Sequence, residues 1–270
     1  MQRIVLSKID YQNVLHPKDA SGIAWVKKVP HFEDLLNKSV VRFEELYSDV
    51  VYTGNGFEIT SESGSEVYSQ YLEACKILHV VNPPILTSLW EYRISSDSLG
   101  GKKGRIMLTT GAIDVLTKEE FNFLLGHELG HILCGHKPYQ SLLEILYSPF
   151  LDSVDRFNIA SVVKFPLLEW FRISHYSADR VGLLCCQDIN VALNAMIKMA
   201  GCPKKYHNNI NVDSFIKQAD EFERNCSGTL NSLIEKFSVR AGSMPWLVVR
   251  VRELLDWYNS GEYQKIIDNA

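Results

Sequence analysis

The residues with the clearest chemical potential lie in the segment 124–136, which contains the pattern His-Glu-x-x-His. In an α-helix, residues four apart point in nearly the same direction, so His127 and His131 would face the same way. Two imidazoles on one face can hold a Zn²⁺ ion, and Glu128 beside them can take a proton from a metal-bound water. The sequence therefore predicts a hydrolytic metal centre on this helix.

The residues before the pattern favour a helix. Thr117 and Glu120 match a Thr-x-x-Glu capping box, and apolar residues follow at helical spacing. A five-residue pattern with three fixed positions also occurs by chance, and a buried histidine is usually a core residue. Inside an apolar helix, however, titratable groups are costly unless they are paired or bound to a metal, which favours the metal site.

A third ligand is needed, and the residues directly after the pattern do not supply it. The metzincin spacing is excluded because Cys134 and Lys137 stand where that pattern requires glycine and histidine. His136 lies five residues after His131 and points away from the metal face, so we interpret it as a cation at the helix C-terminus. The third ligand is therefore expected from a second helix.

The segment 170–184 is the predicted second helix, and it carries His175 and Asp179 four residues apart. This spacing suits a ligand together with a carboxylate that orients a ligating histidine, most plausibly His127 or His131. The alternative is a surface His175 that simply pairs with Asp179, and the spacing alone does not decide between them. Glu169, six residues before His175, is the competing ligand.

Composition excludes several classes of protein. The 270 residues are 46% apolar and 22% charged, as in an ordinary globular protein, and a net charge of −4 without a basic cluster argues against nucleic acid as partner. Six cysteines without a C-x-x-C pair indicate reduced thiols and a cytoplasmic protein. The first residues contain no apolar stretch long enough for a signal peptide, and the sequence has no apolar run of transmembrane length. We therefore expect neither a signal peptide nor a transmembrane segment, with peripheral membrane association left open.

The remaining elements predict a support for the metal helix. Residues 85–94 and 105–109 are predicted strands joined by a hairpin loop over 95–104, and an exposed edge strand could lay an extended peptide across the metal. Residues 1–60 are predicted to form an N-terminal extension packed on the core, with a helix over 32–47 and a hairpin over 50–59. Residues 61–270 are the predicted metallopeptidase domain.

Taken together, these residues resemble the HtpX-like and CAAX-prenyl-endopeptidase family of zinc metallopeptidases, and more closely its soluble bacterial-type branch without membrane helices. The resemblance covers residues 60–265. It is carried by the segment 106–116, by His-Glu-Leu-Gly-His with Gly135-His136, by the segment 177–184 and by the segment 245–254.

The resemblance implies an α+β, mostly helical, zincin-like domain with a small sheet beside the His-Glu-x-x-His helix. It implies one Zn²⁺ per chain, held by His127, His131 and His175, with His175 at the position where relatives carry a ligating glutamate. Glu128 would be the general base. Arg250, in the C-terminal signature, would brace Asp179.

The sequence departs from the family at two further places. Met244 occupies an altered oxyanion position, where relatives carry a histidine that could donate to the transition state. The Asn-Ala of the family's edge strand is not evident, because Ser96-Asp97-Ser98 lies near that position. The predicted function is a zinc endopeptidase acting on protein or peptide substrates. The alternative, favoured by Met244 and opposed by Glu128, is a catalytically silent zinc-binding scaffold or regulatory peptide-binding protein.

Overall fold

The structure, a computed structural model, describes residues 3–28, 46, 48–100, 103–147, 159–226 and 246–270. The predicted helix over 32–47 lies almost entirely outside these ranges. The helices are α1 (Pro17–Val26), α2 (Ser65–Ile77), α3 (Thr110–Val115), α4 (Lys118–Leu133), α5 (Lys137–Tyr147), α6 (Ile159–Cys186), α7 (Ile189–Met199), α8 (Val212–Cys226), α9 (Leu247–Asn259) and α10 (Glu262–Asp268). The strands are β1 (Phe57–Glu58), β2 (Ile85–Leu89), β3 (Ser96–Leu99) and β4 (Arg105–Thr109). The mostly helical α+β prediction is confirmed.

The four strands form one mixed sheet in the order β1-β2-β4-β3. Strands β2 and β4 run parallel, whereas β3 pairs antiparallel with β4, with Ser96 opposite Leu108 and Ser98 opposite Ile106. The predicted hairpin between β2 and β4 is therefore wrong, because the supposed loop contains the strand β3. Its Ser-Asp-Ser sequence resembles a turn, but pairing with the buried strand β4 overrides that local preference.

The predicted hairpin over 50–59 is also wrong. Residues Ser48–Tyr52 and Thr53–Asn55 form short helical turns, and β1 pairs instead with β2. A short β-rich segment does not reveal its partner, because pairing depends on distant strands as much as on the nearest turn.

Helix α4, which carries the His-Glu-x-x-His pattern, begins where the sequence predicts. The hydroxyl of Thr117 accepts from the amide of Glu120, and the Glu120 carboxylate accepts from the amide of Thr117, which completes the capping box. The helix ends at Leu133, and Gly135 follows in the left-handed conformation with φ of 75°. Residues 120–131 are all buried, so α4 passes through the middle of the core.

Helix α6 packs closely against α4 because two glycines of α4 lack side chains at the crossing. A Cβ atom on Gly126 would lie 2.4 Å from Cβ of Cys185, and one on Gly130 would lie 2.8 Å from Cβ of Val181. No side chain can occupy these positions unless the helices separate. The close packing brings His175 of α6 next to the two histidines of α4.

The N-terminal residues share the core with the metal helix. Leu6, Val14 and Ile59 are buried in the same hydrophobic cluster as Leu124 and Leu129. Helix α1 packs against α6, where a Cβ on Gly22 would lie 2.5 Å from the ring of Trp170. The N-terminal segment thus contacts the helices of the site directly, while the predicted domain boundary at residue 60 stays a prediction.

Two observations bear on the cysteines and on the membrane. The five cysteines with described side chains, Cys75, Cys134, Cys185, Cys186 and Cys202, are free thiols. Among the helices in the described ranges, none is both long enough and apolar enough to cross a bilayer.

Candidate metal centre

Three histidine nitrogens converge at the contact between α4 and α6. Nε2 of His127, Nε2 of His131 and Nδ1 of His175 lie 3.2 Å from one another in all three pairs. All three side chains are buried. The structure therefore brings together the three residues predicted as ligands.

The arrangement fits a tetrahedral metal ion. Zinc with bonds of about 2.0–2.1 Å to nitrogen separates two tetrahedral ligand atoms by about 3.3 Å, close to the observed 3.2 Å. Burial, followed by the charges of neighbouring side chains, lowers the pKa of His131 and His175 well below 6.5. Neutral imidazole is the form that binds a metal, so this cluster could hold a divalent ion with three protein ligands.

His127 is held from behind by a buried carboxylate. Its Nδ1 lies 2.8 Å from Oδ1 of Asp179, whose two oxygens also accept two hydrogen bonds from Arg250, at 2.8 and 2.6 Å. Burial alone would raise the pKa of Asp179, but Arg250 and His127 outweigh it and lower that pKa. Because ionised Asp179 can only accept, it places the His127 proton on Nδ1 and leaves Nε2 to face the cluster.

The other ring nitrogen of His131 contacts a second histidine instead of a carboxylate. Its Nδ1 lies 3.0 Å from Nδ1 of His136, and Nε2 of His136 lies 3.0 Å from Oδ2 of Asp19 on helix α1. His136 points away from the metal face, as predicted, and its side chain is fully buried. Its role as a cation at the helix C-terminus stays a prediction. Neither contact was predicted from the sequence, which carries no local signal linking α1 to this helix.

His175 differs from the other two histidines in lacking such a partner. Its buried Nε2 has no hydrogen-bond partner within the described part of the chain. The surface alternative for His175 is wrong, because the residue is buried and Asp179 pairs with His127. Glu169 is exposed and is not part of the cluster.

Glu128 follows His127 on α4, and its carboxylate is held by the edge strand β3. Its Oε1 accepts from the hydroxyl of Ser96 and its Oε2 from that of Ser98, each at 2.6 Å. Alternating side chains of a strand point to opposite faces, so Ser96 and Ser98 share the face toward α4. Sequence reasoning placed both serines in a loop and so missed this contact.

One predicted site residue cannot be located. Met244 lies outside the described residues, as does Pro245, so the altered oxyanion position stays a prediction.

Comparisons with known proteins identify the family of the chain. A sequence profile described as Peptidase family M48 matches residues 98–258, more than half of the chain. A relative from Arabidopsis thaliana, "Plastoglobule-localized metallopeptidase 48, chloroplastic", is 26% identical over 270 residues, which cover 99% of this chain and 78% of that protein. No solved structure matches significantly. The profile match includes the three clustered histidines and Glu128. The chain belongs to peptidase family M48.

Proposed function

We propose that the chain is a zinc-dependent endopeptidase that hydrolyses peptide bonds in protein or peptide substrates. The observation that supports this most directly is the buried triangle of three histidine nitrogens, 3.2 Å apart, with Glu128 next to His127 on helix α4. Three neutral nitrogen ligands suit zinc, and a site with three protein ligands leaves a position open for chemistry.

The roles of the side chains follow from their positions. When bound, zinc lowers the pKa of water and polarises the carbonyl of the scissile bond. Glu128 removes the proton of the attacking water and delivers it to the leaving amine. Asp179, braced by Arg250, keeps the lone pair of His127 directed at the site.

The strand β3 would align the substrate with the base. Among the described residues it is the terminal strand of the sheet, with β4 on one side, so its other edge can pair with an extended peptide. The same strand holds Glu128 through Ser96 and Ser98. A peptide bound along β3 would therefore be positioned by the element that also positions the general base.

The cysteines bear on the cellular location. The free cysteines agree with a reducing compartment such as the cytoplasm. The Arabidopsis relative is named as a plastoglobule-localised chloroplast protein. A cytoplasmic location is the proposal for this chain, with peripheral membrane association as the alternative.

The second candidate is a catalytically silent zinc-binding scaffold, and the specific observation that favours it is Met244. A thioether has no proton to donate, so it cannot serve the oxyanion that forms when water attacks the carbonyl. The peptidase is preferred because a purely structural zinc site has no need for a carboxylate oriented by two hydroxyls.

Metal removal separates these two functions. We expect a chelator to reduce hydrolysis of a peptide library by at least about 100-fold, since the metal supplies both water activation and carbonyl polarisation. One equivalent of zinc per chain should restore the original rate. The measurement combines metal analysis with mass-spectrometric detection of cleavage products. A folded protein carrying one zinc ion that cleaves no peptide in the library would favour the scaffold.

Replacing both serines of β3 tests their role in positioning the base. In Ser96→Ala/Ser98→Ala, Glu128 loses two hydrogen bonds, and a base displaced from its productive position should lower kcat roughly 10- to 100-fold. KM should change little, because these hydroxyls contact the base rather than the substrate. The matched control is Ser88→Ala, a buried serine on β2. An unchanged kcat in the zinc-loaded double variant, or an equal loss in the control, would contradict this role.

A further inference from the structure

Helix α1 carries a buried carboxylate that has no role in the mechanism proposed above. This residue, Asp19, precedes the range 98–258 that the family profile matches, and its side chain is fully buried. It accepts hydrogen bonds from Nε2 of His136 at 3.0 Å, from the hydroxyl of Ser177 at 2.5 Å and from Nε1 of Trp170 at 2.8 Å. A buried charge is costly unless it is paired and hydrogen-bonded, so these contacts call for an explanation.

The direction of each hydrogen bond follows from the carboxylate. An ionised Asp19 only accepts, so Nε2 of His136 carries a proton. If His131 binds a metal through Nε2, its own proton is on Nδ1 and needs an acceptor. The atom 3.0 Å away is Nδ1 of His136, which can accept only when the proton of His136 is on Nε2.

The other group near Nδ1 of His131 cannot take this proton. Nε2 of Gln140 lies 3.1 Å from that nitrogen, and an amide nitrogen is a donor. The orientation of the amide is set by Lys137, whose Nζ donates to Oε1 of Gln140 at 2.6 Å. In this orientation the amide nitrogen donates to the hydroxyl of Ser174 at 3.1 Å, and turning the amide over would set that nitrogen against the Lys137 ammonium, which is also a donor. His136 is therefore the acceptor for the Nδ1 proton of His131.

We propose that Asp19 and His136 form a positioning relay behind His131, which makes helix α1 part of the metal centre. The relay deepens the proposed function and rests on it, because it has a role only if His131 is a ligand. The two histidines of α4 would then each be oriented by a buried carboxylate, directly through Asp179 for His127 and through His136 for His131. Losing such a partner typically weakens metal affinity about 10- to 100-fold.

Helix α1 is seated by contacts that do not involve Asp19. Gly22 packs against Trp170, and the amide of His16 donates to the hydroxyl of Ser177 at 2.9 Å. Arg180 donates to the carbonyl groups of Val14 and Leu15, both at 3.1 Å. A variant at Asp19 should therefore keep α1 in place, so the effect of the carboxylate can be measured separately from folding.

The unmodified protein offers the first test. In zinc-loaded protein with ¹⁵N-labelled histidine, NMR should place the proton of His136 on Nε2 and that of His131 on Nδ1. A scalar coupling between the two Nδ1 atoms would report the hydrogen bond itself. A proton on Nδ1 of His136, or no coupling in protein that holds zinc, would overturn the relay. A protein that binds no zinc would instead overturn the proposed function and the relay with it.

A variant pair provides the second test. Asp19→Asn keeps the shape of the side chain but cannot accept from all three donors, so zinc affinity measured by chelator competition should fall about 10- to 100-fold. The visible spectrum of the cobalt-substituted protein should also shift, because the orientation of His131 changes. The control is Trp170→Phe, which removes another hydrogen bond to Asp19 and keeps an aromatic ring against His136. Parental affinity in folded Asp19→Asn, or an equal loss in Trp170→Phe, would show that the carboxylate is only structural.

Discussion

Glu128→Gln should reduce peptide hydrolysis by about 10²–10⁴ while zinc content stays unchanged. Glutamine has nearly the same shape but cannot take a proton from water at neutral pH. It is not one of the three clustered residues, so the metal should still bind. The measurement is kcat on a peptide substrate, with metal analysis of the same preparation.

The same helix provides a matched control for this prediction. Glu120 is also a buried glutamate of α4, but it pairs with Lys198 at 2.7 Å and caps the helix N-terminus. Glu120→Gln should lower the free energy of unfolding and leave kcat nearly unchanged. Parental kcat in Glu128→Gln would refute Glu128 as the general base, and a comparable fall in both variants would trace the loss to the helix instead.

Features that depend on short stretches of sequence were predictable. The start of α4 follows from Thr117 and Glu120, three residues apart, and its course follows from apolar residues at helical spacing. His127 and His131 are four residues apart, so the geometry of a single helix predicts that they point to the same side. The position of His175 came from the family resemblance, because spacing alone left it open between a ligand and a surface residue.

Features that depend on contacts between distant segments were not predictable. Asp19 reaches His136 only because Gly22 allows α1 to pack on α6, and nothing near Asp19 in the sequence indicates a metal centre. Polar Ser96 and Ser98 do not look like strand residues, since their conformation is stabilised by β4 and by Glu128 rather than by local preference. The parallel pairing of β2 with β4 likewise has no local signature.

The ligand set is tested by replacing His175. His175→Ala should weaken zinc binding by more than about 100-fold, beyond the 10- to 100-fold typical for losing an outer hydrogen-bond partner. The reason is that one of the three converging nitrogens is removed and two ligands remain. Chelator competition on the folded variant measures the change.

His175→Glu should keep zinc bound, because a carboxylate oxygen is also a zinc ligand. Nε2 of His175 has no hydrogen-bond partner among the described residues, so the substitution breaks no hydrogen bond at that atom within the described part of the chain. Three neutral imidazoles leave the metal charge at about +2, whereas two imidazoles and a carboxylate leave about +1. A less positive site lowers the pKa of a bound water less. The acidic limb of the pH–rate profile should therefore move to higher pH in His175→Glu.

Glu169→Ala is the control for both substitutions. Glu169 lies on the same helix, six residues before His175, and its side chain is exposed. The Glu169→Ala variant should therefore bind zinc with the same affinity as the parent protein. If His175→Ala kept full zinc occupancy and Glu169→Ala lost it, Glu169 rather than His175 would be the third ligand. That exchange would require α6 to turn so that a residue now facing solvent enters the core, which the close contact at Gly126 and Gly130 opposes.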